Sequence, residues 1–302
     1  VKTHVTETAR AARAAPERIW IDGRRAGCVD ARDRGFQYGD GLFETMRVRG
    51  HAVRLLEAHL RRLARGCRRL GLALPDLRIL RRELGEAAHQ RADGVLKLIV
   101  SRGSGARGYR PAAGLRATRV MLLTALPAMP AMRPLQGLPA SGTHAAAVAG
   151  VVLRVCRTPL GVNPRLAGLK TLNRLESVLA RLEWRDERVW EGLMLDADGH
   201  VVCGTMTNVF VRRARTLHTP LLDRCGVAGV MRGWVVARSG GLRLRVREGR
   251  MTLPDLAAAD EIFLTNAVAG IVPVATLRIG RRQVRLRSCE SAQRLRECLA
   301  RV

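Results

Sequence analysis

The sequence predicts an α+β protein in two parts, a smaller mixed N-terminal part and a larger strand-rich C-terminal part. Three observations carry this. Helical and strand patterns fall in separate runs rather than alternating βαβ. A Pro-, Met- and Ala-rich stretch without periodicity, residues 127–139, interrupts the chain and reads as a linker. Beyond it, short apolar runs of strand length dominate.

The elements follow in order. Residues 1–18 are rich in Arg and Ala, lack an apolar stretch and read as a basic tail. Ile19–Gly23 and Arg24–Val29 read as two strands around a glycine turn. Asp30–Gly41 reads as a Gly/Asp-rich loop, and Leu42–Val48 alternates as a strand. Arg54–Leu70 places Leu55, Leu60, Leu63 and Leu70 at helical spacing, with Gly71 as a stop. Asp76–Ala92 is a second amphipathic helix, and Gly94–Arg102 and Arg119–Leu126 are strands. The first part is therefore assigned to 19–126 and the larger part to 140–302. There, strands are expected at Ala145–Cys156, Glu191–Asp196, His200–Val202, Asn208–Arg212 and Glu261–Leu264. Helices are expected at Leu169–Glu187 and Gly229–Ala237.

Composition narrows the function classes. The formal net charge is +27, yet only Lys2, Lys97 and Lys170 are lysines among 53 basic residues. Arginine occupies nearly every cationic position, which looks like a codon bias rather than a binding surface. Aromatic residues make up 3% of the chain, too few for base-stacking platforms. Nucleic acid is not an expected partner, although a basic surface attracts small anions. No apolar run is long enough to span a bilayer, so no membrane association is expected. Seven cysteines at positions 28, 67, 156, 203, 225, 289 and 298 form no CxxC pair. They point to a reducing compartment, the cytoplasm, and to no structural metal.

Four segments carry chemistry. Asp33–Glu44 (DRGFQYGDGLFE) packs three glycines and two aspartates into twelve residues, as a tight turn would. In EAHLRRL, Glu57–Leu63, a helical Arg62 suits bidentate phosphate binding. In GVNPRLAGLKTLNRLE, Gly161–Glu176, Lys170 sits at a predicted loop-to-helix junction behind Ala167 and Gly168. A lysine partly desolvated there has a lowered pKa and serves as nucleophile and base. Arginine cannot replace it in imine chemistry, because its guanidinium stays protonated. In TPLLDRCGVAGVMR, Thr219–Arg232, Gly226 and Gly229 lead into a helix whose first amides form a phosphate cradle.

Together and in this order, these segments resemble the class IV aminotransferase family, the fold-type IV pyridoxal-phosphate enzymes. The resemblance spans Ile19 to Val274. DRGFQYGDGLFET, LLEAHLRRL, LKLIVSRGSGARGYRP, NPRLAGLKTLNRLESVLAR, CGVAGVMR and EIFLTNAVAGIVPV carry it, and they look most like the aminodeoxychorismate lyase subgroup. The resemblance implies a larger domain of pseudo-barrel form, a homodimer, and pyridoxal 5′-phosphate held by Lys170 as a Schiff base. It implies phosphate binding by Arg62, the amides of Val230 and Met231, and Ala267. Asn173, taken to lie one helical turn beyond the lysine, is expected to support the site. Arg102, Arg107 and Tyr109 are expected to border a substrate with two carboxylates, 4-amino-4-deoxychorismate. That substrate would yield 4-aminobenzoate and pyruvate in folate synthesis. Either the Asp33–Gly41 or the Gly103–Arg110 loop is expected to reach the neighbouring subunit. One position departs from the family pattern. In VVCGTMTNVF, Cys203 stands where a glutamate would face the cofactor's pyridine nitrogen. A branched-chain or D-amino-acid transaminase of the same fold, using the same Lys170 and Arg62, is the alternative. A basic nucleic-acid-binding protein with vestigial motifs is the distant one.

Overall fold

A computed structural model describes residues 17–25, 27–128, 133–134 and 149–302. The expected tail and most of the expected linker lie outside these residues.

The first sheet holds six strands: β1 (Arg18–Ile21), β2 (Arg24–Arg25), β3 (Gly41–Arg49), β4 (Ala52–Val53), β5 (Asp93–Ser101) and β6 (Arg119–Thr124). Its order is β2-β1-β6-β5-β3-β4, antiparallel throughout. The alternation read from Leu42–Val48 has its cause here: Leu42, Met46 and Val48 are buried within the core. Two helices complete it, α2 (Leu56–Leu70) and α3 (Leu77–His89), after the short α1 (Arg34–Tyr38). Leu60, Leu63, Leu80 and Leu84 from α2 and α3 pack against Leu96 and Leu98 of β5. Helix α1 interrupts the expected Asp30–Gly41 loop. Asp33 caps it by accepting the Gly35 amide at 2.8 Å.

The second sheet holds ten strands: β7 (Arg133–Pro134), β8 (Ala149–Val155), β9 (Val189–Leu195), β10 (Val201–Gly204), β11 (Asn208–Arg213), β12 (Thr216–Pro220), β13 (Arg245–Gly249), β14 (Glu261–Asn266), β15 (Gly270–Ile279) and β16 (Arg282–Arg285). The main path runs β10-β9-β8-β15-β14-β11-β12-β13. The sheet curls, so that β10 at one end lies against β11 and β12. Both faces of its central strands are covered. Val209 and Val211 of β11 and Ile262 and Leu264 of β14 enter one core. The alternate residues Phe210 and Phe263 enter another and stack with centroids 5.0 Å apart. That second core contains Met231 and Val235 of α5 (Val230–Ser239) and Leu295 of α7 (Glu290–Ala300). The remaining helices are α4 (Leu175–Arg181) and α6 (Leu253–Ala257).

One expected element is corrected. The helix predicted over Leu169–Glu187 is confined to α4, and Lys170 through Arg174 are not helical. Gly168, at φ +78°, turns the chain out of helical geometry. Isolated bridges then recruit this stretch, Gly168 to Val227 and Thr171 to Leu42. Asn173 is therefore not one helical turn beyond the lysine.

Candidate active site

Lys170 sits where the two sheets meet. On one side, its carbonyl accepts the Phe43 amide at 3.0 Å, and the Leu172 amide donates to Gly41 at 3.0 Å. On the other, the Gly168 amide donates to Gly226 at 2.9 Å, and Ala228 donates to Gly168 at 3.1 Å. The lysine is thus tied both to the start of β3 and to the turn before α5. Its Nζ lies 4.1 Å from the centre of the Phe43 ring and opens into a cavity of about 1050 Å³. Burial first, and then the nearby Arg62 guanidinium, push the amine down to about 7. An amine so placed is available as nucleophile and base near neutrality.

Arg62, in the second turn of α2, reaches the same cavity. Its Nε donates to Glu44 Oε1 at 2.8 Å, its Nη2 to Glu44 Oε2, and its Nη1 to the Ala228 carbonyl at 3.2 Å. His59 Nδ1 lies 2.6 Å from Glu44 Oε2. Glu44, Arg62 and His59 are all buried. Burial pushes the Glu44 carboxyl up, but Arg62 and His59 together hold it below its ordinary value. The carboxylate fixes the guanidinium at the cavity wall.

Opposite Arg62, α5 begins at Val230. Its first-turn amides have no carbonyl acceptor within the helix. Asn208 sets this helix start: its Oδ1 accepts the Gly229 amide at 3.1 Å, and its Nδ2 donates to Val227 at 2.8 Å. Any Cβ at Gly229 would meet Asn208 Oδ1 at 2.1 Å, so glycine is required there for close approach. Beside it, Thr265 is buried with a hydroxyl that has no partner, and Ala267 lines the same wall. An arginine, free helix amides and an orphaned buried hydroxyl converging on one cavity fit a phosphate group. With Lys170 beside them, they fit pyridoxal 5′-phosphate.

Cys203, on β10, also lines the cavity. Burial and the Glu191 carboxylate push its thiol up to about 12, so it carries no charge at neutral pH. Glu191 does not take over the role of a carboxylate in the cavity. It is fully buried and accepts from Thr205 Oγ1 at 2.5 Å, Thr207 Oγ1 at 3.0 Å and the Met206 amide at 3.1 Å. These bonds shape the turn from 205 to 207.

The structure brings Lys170, Arg62, Val230, Met231, Ala267, Cys203 and Asn173 to the wall of one cavity. Asn173 faces back toward the first sheet, where its Nδ2 donates to the Gly39 carbonyl at 3.3 Å. The expected substrate-border residues lie apart. Arg102 is consumed by Asp40 at 2.7 Å and by the carbonyls of Leu70 and Gly71, so it braces a loop. With Tyr109 it lines a smaller neighbouring recess, and Tyr109 is 89% exposed. Arg107 is exposed and lines neither space. The Gly103–Arg110 loop is held to α1 instead, through Arg34 donating to Gly108 at 2.7 Å and Tyr109 at 3.1 Å.

Sequence reasoning missed Thr45, Asn208, Thr265 and Arg174, all on the cavity wall. Lys97, one of the three lysines in the sequence, is not on the cavity wall; its Nζ lies 5.2 Å from the Phe43 ring. The glycine pair Gly226 and Gly229 was an available signal for the close approach that Asn208 makes. Nothing local marks Thr265 or Arg174.

A curled sheet beside a smaller α+β layer, with a phosphate cradle and a depressed lysine between them, defines a pyridoxal-phosphate enzyme of one particular fold. Residues 41–277 match the amino-transferase class IV family, and the chain belongs to it. Among similar proteins is the aminodeoxychorismate lyase of Vibrio harveyi, 34% identical over 85% of this chain and 90% of its own. The crystal structure of 4-amino-4-deoxychorismate lyase from Pseudomonas aeruginosa is 44% identical, with a TM-score of 0.84. It covers 94% of this chain and 98% of its own. A putative branched-chain-amino-acid aminotransferase of Methanocaldococcus jannaschii is 32% identical over 85% of this chain and 86% of its own.

Proposed function

We propose that the protein is an aminodeoxychorismate lyase, converting 4-amino-4-deoxychorismate to 4-aminobenzoate and pyruvate, a step of folate synthesis. Lys170, an amine pushed down to about 7 beside a phosphate cradle, carries the pyridoxal-phosphate chemistry; what favours the lyase over a transaminase with the same lysine is the 44% identity to a 4-amino-4-deoxychorismate lyase. Similarity to lyases over nearly the whole chain supports it.

In this reading Arg62, the amides of Val230 and Met231, Thr265 and the Ala267 turn hold the cofactor phosphate. Cys203 would stand at the position that faces the pyridine nitrogen, and Asn173 would support the site. The bound cofactor supplies an electron sink for the carbon that bears the substrate nitrogen. Lys170 Nζ would be the nucleophile that holds the cofactor. With the substrate bound, its free amine would be the base that takes the proton from the ring carbon bearing that nitrogen. The carbon–oxygen bond to the enolpyruvyl group breaks, the ring becomes aromatic, and a proton delivered to the leaving group's methylene gives pyruvate. Lys170 Nζ would also serve in release of 4-aminobenzoate, as the nucleophile that takes back its place on the cofactor.

The same reading makes the protein a cytoplasmic homodimer of two domains per chain, 19–126 and 140–302. Two sheets with separate cores support the division. Seven free cysteines support a reducing compartment. No helix among the described residues is long and apolar enough to cross a membrane. An apolar stripe of Leu175, Val178 and Leu179 on α4 and Leu182 at its C-cap is exposed and supports a dimer contact.

The test is an absorbance spectrum of the purified protein, followed by a pyruvate assay with 4-amino-4-deoxychorismate. Pyruvate release is expected. Amino transfer to a 2-oxo acid without it would replace this reading with a transaminase.

A further inference from the structure

We propose that Arg174 recognises the ring carboxylate of the substrate, an assignment that rests on the lyase reading above. Arg174 lines the cavity beside Lys170. Its Nη2 donates to Thr171 Oγ1 at 2.8 Å and its Nε to the Thr171 carbonyl at 3.2 Å. Thr171 is itself buried and bridged to Leu42, so the guanidinium is aimed by a rigid support. These bonds leave Nη1 without a protein partner among the described residues.

The charge around it is unbalanced. Arg62 has Glu44, and both Arg34 and Arg102 have Asp40. Arg174 has no carboxylate within ion-pair distance among the described residues. Glu176, an acid whose charge it senses, is tied to the Gly161 amide at 2.8 Å. Cys203, also within electrostatic range, offers only a neutral thiol. A partly buried guanidinium without a counter-ion is costly, and a ligand carboxylate relieves that cost through charge-assisted hydrogen bonds. The cofactor phosphate already has Arg62 and the α5 amides, so the anion left for Arg174 is the substrate's own.

Two probes test this on the cofactor-loaded protein by calorimetry: 4-aminobenzoate and its neutral counterpart 4-aminobenzamide. Wild type is expected to prefer the carboxylate by about 10- to 100-fold, the usual strength of a charged hydrogen bond. Arg174→Met should abolish the preference while leaving the cofactor's absorbance intact, and Arg174→Lys should restore part of it. Cys203→Glu, which sets a competing carboxylate beside Arg174, should weaken it too, with no further loss in the double variant with Arg174→Met. Retained preference in Arg174→Met, no preference in wild type, or loss only together with the cofactor overturns the assignment. A wild type that prefers the carboxylate but releases no pyruvate overturns the lyase reading alone.

Discussion

The Phe43 amide donates to the Lys170 carbonyl at 3.0 Å, and the Phe43 ring centre lies 4.1 Å from the lysine's Nζ. One residue of β3 therefore both fixes the lysine's backbone and walls its amine from water. The first sheet is in this sense part of the chemistry of a lysine carried beyond it in the chain.

Burial disfavours the charged ammonium, so the Lys170 amine is mostly free above pH 7 and mostly protonated below it. Capture of the cofactor by apoprotein is expected to speed up as pH rises through about 7. Phe43→Ala, which admits water, should move that midpoint upward. A wild-type midpoint near that of an ordinary lysine, about 10.4, would refute the assignment. Lys170→Ala should lose both the visible absorbance band of the bound cofactor and pyruvate release. Retention of both would refute the lysine's role.

Glu44 is the buried partner of Arg62 and His59. Glu44→Gln leaves Arg62 buried without a counter-charge and should cost about 3–5 kcal/mol. Because the folded carboxyl is held below its unfolded value of about 4.3, its stabilisation is present above that pH. It is lost as pH falls through the folded value. Thermal melts across pH 3–7 (roughly the carboxylate range) should show acid destabilisation in wild type that is flattened in Glu44→Gln. Parallel curves would contradict the coupling.

Gly229→Ala places a methyl against Asn208 Oδ1 and should displace the start of α5. The expected cost is about 1–3 kcal/mol of stability, as for other overpacked sites. Cofactor affinity, read by titration, should fall with it. Unchanged affinity would mean that the helix start does not hold the phosphate.

The exposed stripe on α4 predicts association. Wild type should elute as a dimer with light-scattering mass near twice 33.1 kDa. Leu179→Glu with Leu182→Glu should shift it to monomer. A monomeric wild type at micromolar concentration would remove the dimer from the reading.

Local pattern and motif order were enough for the two-part α+β fold, the helices over most of α2, α3 and α5, and the family. Lys170 stood out because lysine is so scarce here. Gly229 stood out because a glycine before an apolar helix marks a cradle. Other features were invisible for a physical reason. Strand β15 carries Pro273 at a central position, which breaks the strand pattern, and it is held by β8, β14 and β16 together. The segment around Lys170 has helical spacing, yet bridges to Leu42 and Val227 outweigh that local preference. Arg102, expected to border the substrate, is paired with Asp40, a partner 62 residues away that no local pattern marks.

What the sequence determined alone was therefore the set of reactive groups and the order of elements that carry them. Tertiary structure decided their charge states and their partners. Both depend on burial and on neighbours far apart in the chain: Phe43 and Arg62 beside Lys170, and Glu44 beside Arg62. For Arg174 the deciding fact is an absence, since no acid among the described residues comes close enough to balance it. Only packing in three dimensions shows which charges meet and which do not.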